Sequence, residues 1–270
     1  MSRLGFIGMG NMAQAIADGF IRSNVYAAGD VYAYAPNSEK LDANASRIGF
    51  NPVHSLKELV NTADILIMAC KPYQIEDVLD ETASLMKGKV LISIALGWNH
   101  DRYVEEFSKR KVTVSGNADG VRIQFVMPNT PAQIGEGVFL FEETTSLTDT
   151  ERMQMMDAFA ELGIVRTLPS KLMGIGGAIT GCGPAFIDLY IEAMADAAVK
   201  YGIPRQTAYE LVSATVSGSA QLQLKTGTHP GVLKDAVCSP GGSTIRGVAA
   251  LEEAGMRDAC IKAIDAVMNY

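Results

Sequence analysis

The chain has 270 residues, of which 48% are hydrophobic and 20% are charged, a composition typical of globular proteins. The 23 lysines and arginines against 30 aspartates and glutamates give a formal net charge of -7, and no basic run is present, so we expect no nucleic-acid partner. Three histidines and four widely spaced cysteines exclude a zinc cage and a disulfide framework. Free thiols, no signal-peptide core and no apolar run near about 18 residues predict a cytoplasmic protein without a membrane segment.

Up to residue 168, short apolar runs alternate with helix-like segments, which predicts a doubly wound parallel sheet with helices on both faces. Strands are expected at 4–7, 31–34, 65–69, 90–94, 123–127, 137–141 and 164–168. Helices are expected at 11–23, 38–47, 73–86, 101–109 and 149–162. Residues 111–121 carry turn formers without periodicity, so we interpret them as a surface loop.

Beyond Pro169 the strand-like runs stop and long helical patterns begin, first at 184–201 and then at 204–224. The predicted fold class is therefore α/β, with an N-terminal Rossmann-type doubly wound domain (1–168) and a C-terminal all-helical domain (169–270). A helical domain of this length buries only a limited core alone, so we expect a partner copy to cover it.

The run Gly8-Met9-Gly10-Asn11-Met12-Ala13 follows the first predicted strand and opens the first predicted helix. This is the context that the G-x-G-x-x-A dinucleotide fingerprint requires. The first glycine makes a tight turn, the second lets the backbone approach a pyrophosphate, and the helix N-terminus faces the anion. The alternative is a strand-to-helix turn with no ligand.

The end of the second predicted strand selects the cofactor. It reads Tyr34-Ala35-Pro36-Asn37-Ser38, with no carboxylate before Glu39 to hold the ribose hydroxyls. Asn37 and Ser38, with Lys40 nearby, could donate hydrogen bonds to a 2'-phosphate, so NADPH is favoured and NADH is the second choice. The alternative role for Asn37 and Ser38 is to cap the following helix.

Later strand ends lie at the same carboxyl edge of the sheet, where such folds bind ligands. They contribute the segments Ala69-Cys70-Lys71-Pro72, Ala95-Leu96-Gly97 and Met127-Pro128-Asn129-Thr130-Pro131. Lys71 could contact the cofactor or be a solvated lysine at a helix start. Asn129 and Thr130 could reach the nicotinamide amide or simply close the turn.

A second glycine-rich run, Ser239-Pro240-Gly241-Gly242-Ser243-Thr244, leads into a helical pattern in the C-terminal domain. One cofactor does not need two anion sites, so this loop is expected to bind an acidic substrate. The alternative is a helix cap formed by Ser243 or Thr244.

The motifs of hydrolases and phosphoryl transferases are absent, and no histidine lies near either glycine-rich loop. Reduction of an imine suits such a site, because a protonated imine needs mainly orientation and a hydrogen-bond donor at nitrogen. A 3-hydroxy-acid dehydrogenase would need a helix-borne lysine in the cleft, and Lys200 and Lys225 fall at or near helix ends. A dinucleotide sensor would bind NADPH without turnover.

The sequence resembles the pyrroline-5-carboxylate reductase family over essentially its whole length. The resemblance is carried by Gly181-Cys182-Gly183-Pro184-Ala185, by residues 229–235 and by Val237-Cys238-Ser239-Pro240-Gly241-Gly242-Ser243-Thr244-Ile245, together with Lys71-Pro72 and residues 127–131. It implies reduction of 1-pyrroline-5-carboxylate by NAD(P)H to L-proline, the last step of proline biosynthesis. It also implies a Rossmann domain followed by a dimerisation domain, with dimers often assembled into decamers (a pentamer of dimers).

The resemblance also implies roles for individual residues. Thr244 corresponds to the threonine that hydrogen-bonds the imine nitrogen, while Ser239, Gly242, Ser243 and Val237 form the substrate carboxylate pocket. The implied cofactor residues are Gly8, Gly10, Asn11, Met12, Asn37, Ala69, Lys71, Pro72, Ala95 and Gly97. Three features depart from the family pattern: Phe125 where arginine is common, Cys182 where serine is common, and a longer loop at 111–121.

Overall fold

The computed structural model describes residues 2–117 and 119–269. Ala118, inside the predicted loop at 111–121, and the two terminal residues Met1 and Tyr270 lie outside this description. The chain forms two compact units, Met1–Gly181 and Cys182–Tyr270. This division falls later in the chain than the boundary predicted after residue 168, which stays a prediction.

The first unit is built on a single mixed sheet. Its strands are β1 (Leu4–Ile7), β2 (Val31–Tyr34), β3 (Asn51–Pro52), β4 (Ile65–Met68), β5 (Val90–Ser93), β6 (Arg122–Met127), β7 (Gly137–Thr145) and β8 (Gly163–Leu168). Among the described residues the order is β3-β2-β1-β4-β5-β6-β7-β8. All neighbours are parallel except β6 and β7, which are antiparallel.

Helices cover both faces of this sheet. They are α1 (Asn11–Arg22), α2 (Ser38–Ile48), α3 (Leu56–Thr62), α4 (Ile75–Thr82), α5 (His100–Lys109), α6 (Asp149–Ala160) and α7 (Met173–Gly177). Side chains alternate along each strand, so Phe6 joins a core with α1, α2 and α6, while Ile7 joins a second core with α3, α4 and α5. The predicted fold class is confirmed for this unit.

Three differences from the predicted elements have local causes. β3 and α3 were not predicted, because elements of two and seven residues are too short to show a period. The helix expected at 73–86 is interrupted, with 3₁₀ turns Pro72–Gln74 and Ala83–Met86 flanking α4. The strand β7 reverses because the connection through the 3₁₀ turn Thr130–Ile134 is too short for a parallel crossover.

The second unit is all-helical over its described residues, as predicted. Its helices are α8 (Gly183–Lys200), α9 (Arg205–Thr226), α10 (Pro230–Ala236), α11 (Ser243–Glu253) and α12 (Met256–Met268). Between α7 and α8 the backbone widens into one π-helical turn, Ala178–Cys182. Only Ala195 and Ala208 in these helices are buried within the single chain, so this unit has little core of its own.

By length and composition alone, one helical stretch of the described residues, Ser170–Lys200, could cross a membrane. The expectation that no apolar run approaches that length is wrong by this criterion. Composition therefore does not settle what surrounds this helix.

Candidate active site

The turn after β1 places Gly8 where only glycine fits. Its φ angle is +96°, and an added Cβ would lie 2.7 Å from the backbone nitrogen of Cys70. The Gly8 N–H donates to the Tyr34 carbonyl at 2.8 Å. Gly8 thus brings the ends of β1, β2 and β4 together at the carboxyl edge of the sheet.

Gly10 has the opposite surroundings. Its φ of -75° suits any residue, and an added Cβ would meet no protein atom within 4 Å. Gly10 is also the N-cap of α1, with no side-chain hydrogen bond, so the first N–H groups of the helix are available to a ligand. The open space above this helix end fits a pyrophosphate.

A cavity of about 470 Å³ adjoins this turn. The predicted cofactor residues that line it are Gly8, Gly10, Asn37, Ala69 and Lys71. The other predicted cofactor residues lie outside its lining: Asn11 and Met12 in the first turn of α1, Pro72 in the turn before α4, and Ala95 and Gly97 beyond the end of β5. Asn44 and Gln74 also line the cavity, and neither was predicted as a site residue. The Gln74 carboxamide oxygen accepts from the Lys71 N–H at 3.2 Å, a local capping pattern that its spacing could have indicated.

Asn37, which the sequence predicts to select between cofactors, performs the capping role that the sequence left open. Asn37 is the N-cap of α2, and its Oδ1 accepts from the Lys40 N–H at 2.9 Å. This bond leaves the Nδ2 group of Asn37 able to donate toward the cavity. Lys40 lines the cavity next to Asn37, and two acidic residues of α4, Asp77 and Glu81, line it as well.

Cys70 follows β4 and forms part of the cavity wall. Burial raises the pKa of its thiol to about 11. The thiol is therefore protonated at neutral pH, so Cys70 offers the cavity a neutral, apolar surface rather than a nucleophile.

Beyond β5, the loop carrying Ala95 and Gly97 is fixed by buried groups. Burial raises the pKa of Tyr103, whose hydroxyl donates to Ser93 Oγ at 3.1 Å. The same oxygen accepts from the Ala95 N–H at 3.3 Å. Gly97 adopts a φ of +77°, and the next residue, Trp98, is fully buried in the same core cluster as Ala95 and Tyr103. The loop is thus held rigidly at the sheet edge.

At the end of β6, Asn129 closes the turn. It is 6% exposed, its Oδ1 accepts from the Val138 N–H at 2.8 Å, and its Nδ2 donates to the Thr180 carbonyl at 3.0 Å. The sequence left two roles open for Asn129, contact with the nicotinamide amide or closing the turn, and the structure shows that it closes the turn.

The substrate loop predicted from sequence joins α10 to α11. Gly241 has a φ of +69°, the Gly242 N–H donates to the Ser239 carbonyl at 3.0 Å, and an added Cβ on Gly242 would lie 2.5 Å from Ser239 Oγ. The N-cap of α11 is Gly242, with no side-chain hydrogen bond. The alternative in which Ser243 or Thr244 caps the helix is therefore not what the structure shows.

The free N–H groups at the start of α11 can bind an anion. Ser239, Ser243 and Thr244 are exposed within the single chain, as is Val237, at 65%. Lys234, on α10, pairs with Asp235, which raises the pKa of the lysine. The loop is accessible to a ligand and has a lysine on the preceding helix.

The residues that depart from the family pattern have ordinary surroundings. Phe125 is 3% exposed and packs with Met127, Leu140 and Met173, so the position is apolar here. Cys182 ends the π-helical turn. Lys200 is the last residue of α8, which agrees with the expectation that weighed against a hydroxy-acid dehydrogenase.

Two family models match the chain, one described as NADP oxidoreductase, coenzyme F420-dependent, over residues 3–97, and one as pyrroline-5-carboxylate reductase dimerisation over residues 170–270. The pyrroline-5-carboxylate reductase of Treponema pallidum is 39% identical over 98% of both chains. That of Escherichia coli is 37% identical over 99% of this chain and 96% of its own. A Plasmodium falciparum pyrroline carboxylate reductase structure with NADP bound has a TM-score of 0.85 at 32% identity, covering 99% and 96% of the two chains. Since the likeness extends over both units at this level of identity, the chain belongs to the pyrroline-5-carboxylate reductase family.

Proposed function

We propose that this protein reduces 1-pyrroline-5-carboxylate to L-proline with NADPH in preference to NADH, with Thr244 as its catalytic residue. The reaction transfers a hydride from NADPH to the carbon of a cyclic imine while the nitrogen takes up one proton, which gives L-proline and NADP⁺. It is the last step of proline biosynthesis. The observation that carries the proposal is the start of α11, where no side chain caps the helix and the hydroxyls of Ser239, Ser243 and Thr244 are exposed beside free N–H groups.

On the cofactor side, the residues supply binding and orientation. The open N-terminus of α1 at Gly10 accommodates a pyrophosphate, and the Asn37 amide and Lys40 suit a 2'-phosphate. When bound, the reduced nicotinamide supplies the hydride. Asn11, Met12, Ala69, Lys71, Pro72, Ala95 and Gly97 complete the proposed cofactor contacts.

On the substrate side, the carboxylate of the pyrroline is held by the N–H groups that open α11, with Ser239, Gly242 and Ser243 around it and Val237 against the ring. This arrangement leaves the Thr244 hydroxyl to donate a hydrogen bond at the imine nitrogen. A donor placed there draws electron density from the imine carbon as the hydride arrives, and such preorganised bonds stabilise transition states more than ground states.

The match to a dimerisation model over residues 170–270 supports a homodimer. We extend this to a decamer, a pentamer of dimers, because many members of the family assemble in that way. The enzyme is expected to work in the cytoplasm. Sedimentation at micromolar protein concentration tests the assembly, and a monomer of 28.8 kDa would contradict it.

The test of the reaction is oxidation of NADPH by purified protein with 1-pyrroline-5-carboxylate, repeated with NADH, with L-proline identified as the product. Thr244→Ala should lower kcat by roughly 10- to 1000-fold while leaving NADPH affinity intact, because it removes one transition-state hydrogen bond. Thr207→Ala is the matched control, since Thr207 is also exposed in the first turn of a helix. Wild-type kcat in Thr244→Ala would remove Thr244 from the mechanism, and NADPH binding without oxidation would favour a sensor.

A further inference from the structure

We propose that Asn129 is a positioning residue for hydride transfer: its side-chain amide fastens the π-helical turn Ala178–Cys182 to the carboxyl end of β6. The inference rests on the proposed function, since it takes the cofactor to bind at this edge of the sheet and the pyrroline to bind on residues 239–244. Asn129 itself would touch neither ligand.

Both ends of the Asn129 side-chain amide are hydrogen-bonded inside the first unit. Its Oδ1 accepts from the Val138 N–H at 2.8 Å, and its Nδ2 donates to the Thr180 carbonyl at 3.0 Å. The second bond joins positions 51 residues apart in sequence. If the amide were flipped, its NH2 group would face the Val138 N–H and its oxygen would face the Thr180 carbonyl, so both bonds would be lost. The orientation of the amide is therefore fixed. A nicotinamide contact that required the amide to reorient would break these bonds in a buried place and leave polar groups unpaired.

The π-helical turn explains why a side chain is needed here. A π turn is rare, and its widened backbone departs from the hydrogen-bond pattern of the flanking α-helix. The Thr180 carbonyl receives a donor from Asn129, and the Thr180 hydroxyl donates to the Gly176 carbonyl at 3.0 Å. Both groups of Thr180 therefore stabilise the turn in one conformation.

Close packing holds the residues just before the turn. An added Cβ on Gly177 would lie 2.2 Å from the Met127 sulfur, and one on Gly176 would lie 2.7 Å from Leu140 and from Leu168. The helix α7 thus lies directly against side chains of β6, β7 and β8, with two glycines at the closest contacts. Met127 and Asn129, two residues apart on one strand end, hold the same segment by packing and by a hydrogen bond.

This segment is the covalent path from the sheet to the helices that carry the substrate loop. If the hydrogen bond from Asn129 were lost, the turn would be free to adopt other conformations, and α8 begins at the next residue after it. A misplacement of about 1 Å between reacting groups can lower a rate by about 100-fold. The expected consequence is a loss of kcat with little change in cofactor binding.

The experiment uses Asn129→Asp, which keeps the acceptor for Val138 and removes the donor to Thr180. The matched control is Asn51→Asp, because the Asn51 amide likewise donates to backbone carbonyls, those of Ala28, Gly29 and Val31. Three quantities are measured on the full-length protein: kcat and KM with 1-pyrroline-5-carboxylate, the Kd for NADPH by quenching of Trp98, the single tryptophan, and the melting temperature.

We expect the kcat of Asn129→Asp to fall by about 10- to 100-fold with an unchanged NADPH Kd. Asn51→Asp should lose about as much melting temperature as Asn129→Asp and yet keep wild-type kcat. Wild-type kcat in Asn129→Asp would overturn the proposal, as would an equal loss of kcat in Asn51→Asp. A weakened NADPH Kd in Asn129→Asp would instead make Asn129 a cofactor contact, also against the proposal. The proposed function is tested separately by wild-type turnover and by Thr244→Ala.

If Asn129→Asp does not fold, Asn129→Ser removes the donor to the Thr180 carbonyl without introducing a charge, because the serine side chain is too short to reach it. It should lower kcat by about 10-fold or more with an unchanged NADPH Kd. Wild-type kcat in Asn129→Ser would overturn the proposal.

Discussion

Gly8 and Gly10, in the turn proposed to bind the cofactor, should respond to the same substitution in opposite ways. Gly10→Ala adds a methyl group where no protein atom lies within 4 Å and where φ is -75°. The folded protein without cofactor accommodates it, so the free energy of unfolding should stay within about 1 kcal/mol of wild type, the size of a glycine-to-alanine change at a helix N-cap. The methyl group occupies the space proposed for the pyrophosphate.

The expected loss of affinity follows from what that methyl group displaces. One charge-assisted hydrogen bond from the start of α1 contributes about 1.5–3 kcal/mol. Since about 1.4 kcal/mol corresponds to tenfold in Kd, Gly10→Ala should weaken NADPH binding by roughly 10- to 150-fold. Gly8→Ala, by contrast, forces a residue with a Cβ into a φ of +96° against the Cys70 backbone, and should destabilise the fold by about 2 kcal/mol or more.

Quenching of Trp98 gives the NADPH Kd and thermal unfolding without cofactor gives the stability. Gly29→Ala is the matched control, because an added Cβ there also meets nothing within 4 Å, and Gly29 does not line the cofactor cavity. Its NADPH Kd should equal that of wild type. Wild-type affinity in Gly10→Ala, or a destabilisation as large as that of Gly8→Ala, would refute the assignment of this cavity to the cofactor.

Two further predictions concern the same cavity. Asn37→Asp keeps the cap on the Lys40 N–H but places a carboxylate near the proposed 2'-phosphate position. The ratio of kcat/KM for NADPH to kcat/KM for NADH should therefore fall by about 10- to 100-fold, without a change in melting temperature. An unchanged ratio would exclude Asn37 from cofactor selection. The pKa of Cys70 is raised to about 11, so only a small fraction of the reactive thiolate is present at neutral pH. Alkylation of Cys70 should therefore accelerate about tenfold per pH unit up to that pKa. Because Cys70 lines the proposed cofactor cavity, NADPH should slow the reaction. Peptide mapping measures both effects against exposed Cys260, and rapid alkylation of Cys70 at neutral pH would contradict them.

The parts of the site that were predictable from sequence are those in which a short segment determines its own geometry. Gly8 and Gly10 are two residues apart, and the turn that they form depends on φ and on the helix that follows. The loop before α11 is equally local. For this loop the sequence could not distinguish a capped from an uncapped helix, because a serine near a helix start is compatible with both. The structure decides it by making Gly242 the N-cap.

The parts that could not be predicted depend on distant partners or on elements without a period. Asn129 meets Thr180 across 51 residues, and the π-helical turn that presents this carbonyl has no sequence signature. The helix α3 and the strand β3 were missed because neither is long enough to show alternation. For Asn37 the two roles proposed from sequence are compatible, since one atom of the amide caps α2 and the other stays able to donate.

The helix α8 shows how composition misleads when a chain is considered alone. The helical stretch Ser170–Lys200, which includes α8, contains an 18-residue segment that is apolar enough to resemble a membrane span. Only 17% of that segment is buried inside the single chain. Large side chains such as Ile187, at 48%, and Leu189, at 66%, are exposed there. A helix that is apolar on most sides must be covered by protein or by lipid. The match of residues 170–270 to a dimerisation model favours protein, because a second copy of the same helices would bury these side chains. Much of the stability of this helical unit should therefore arise on association, since its own core is small.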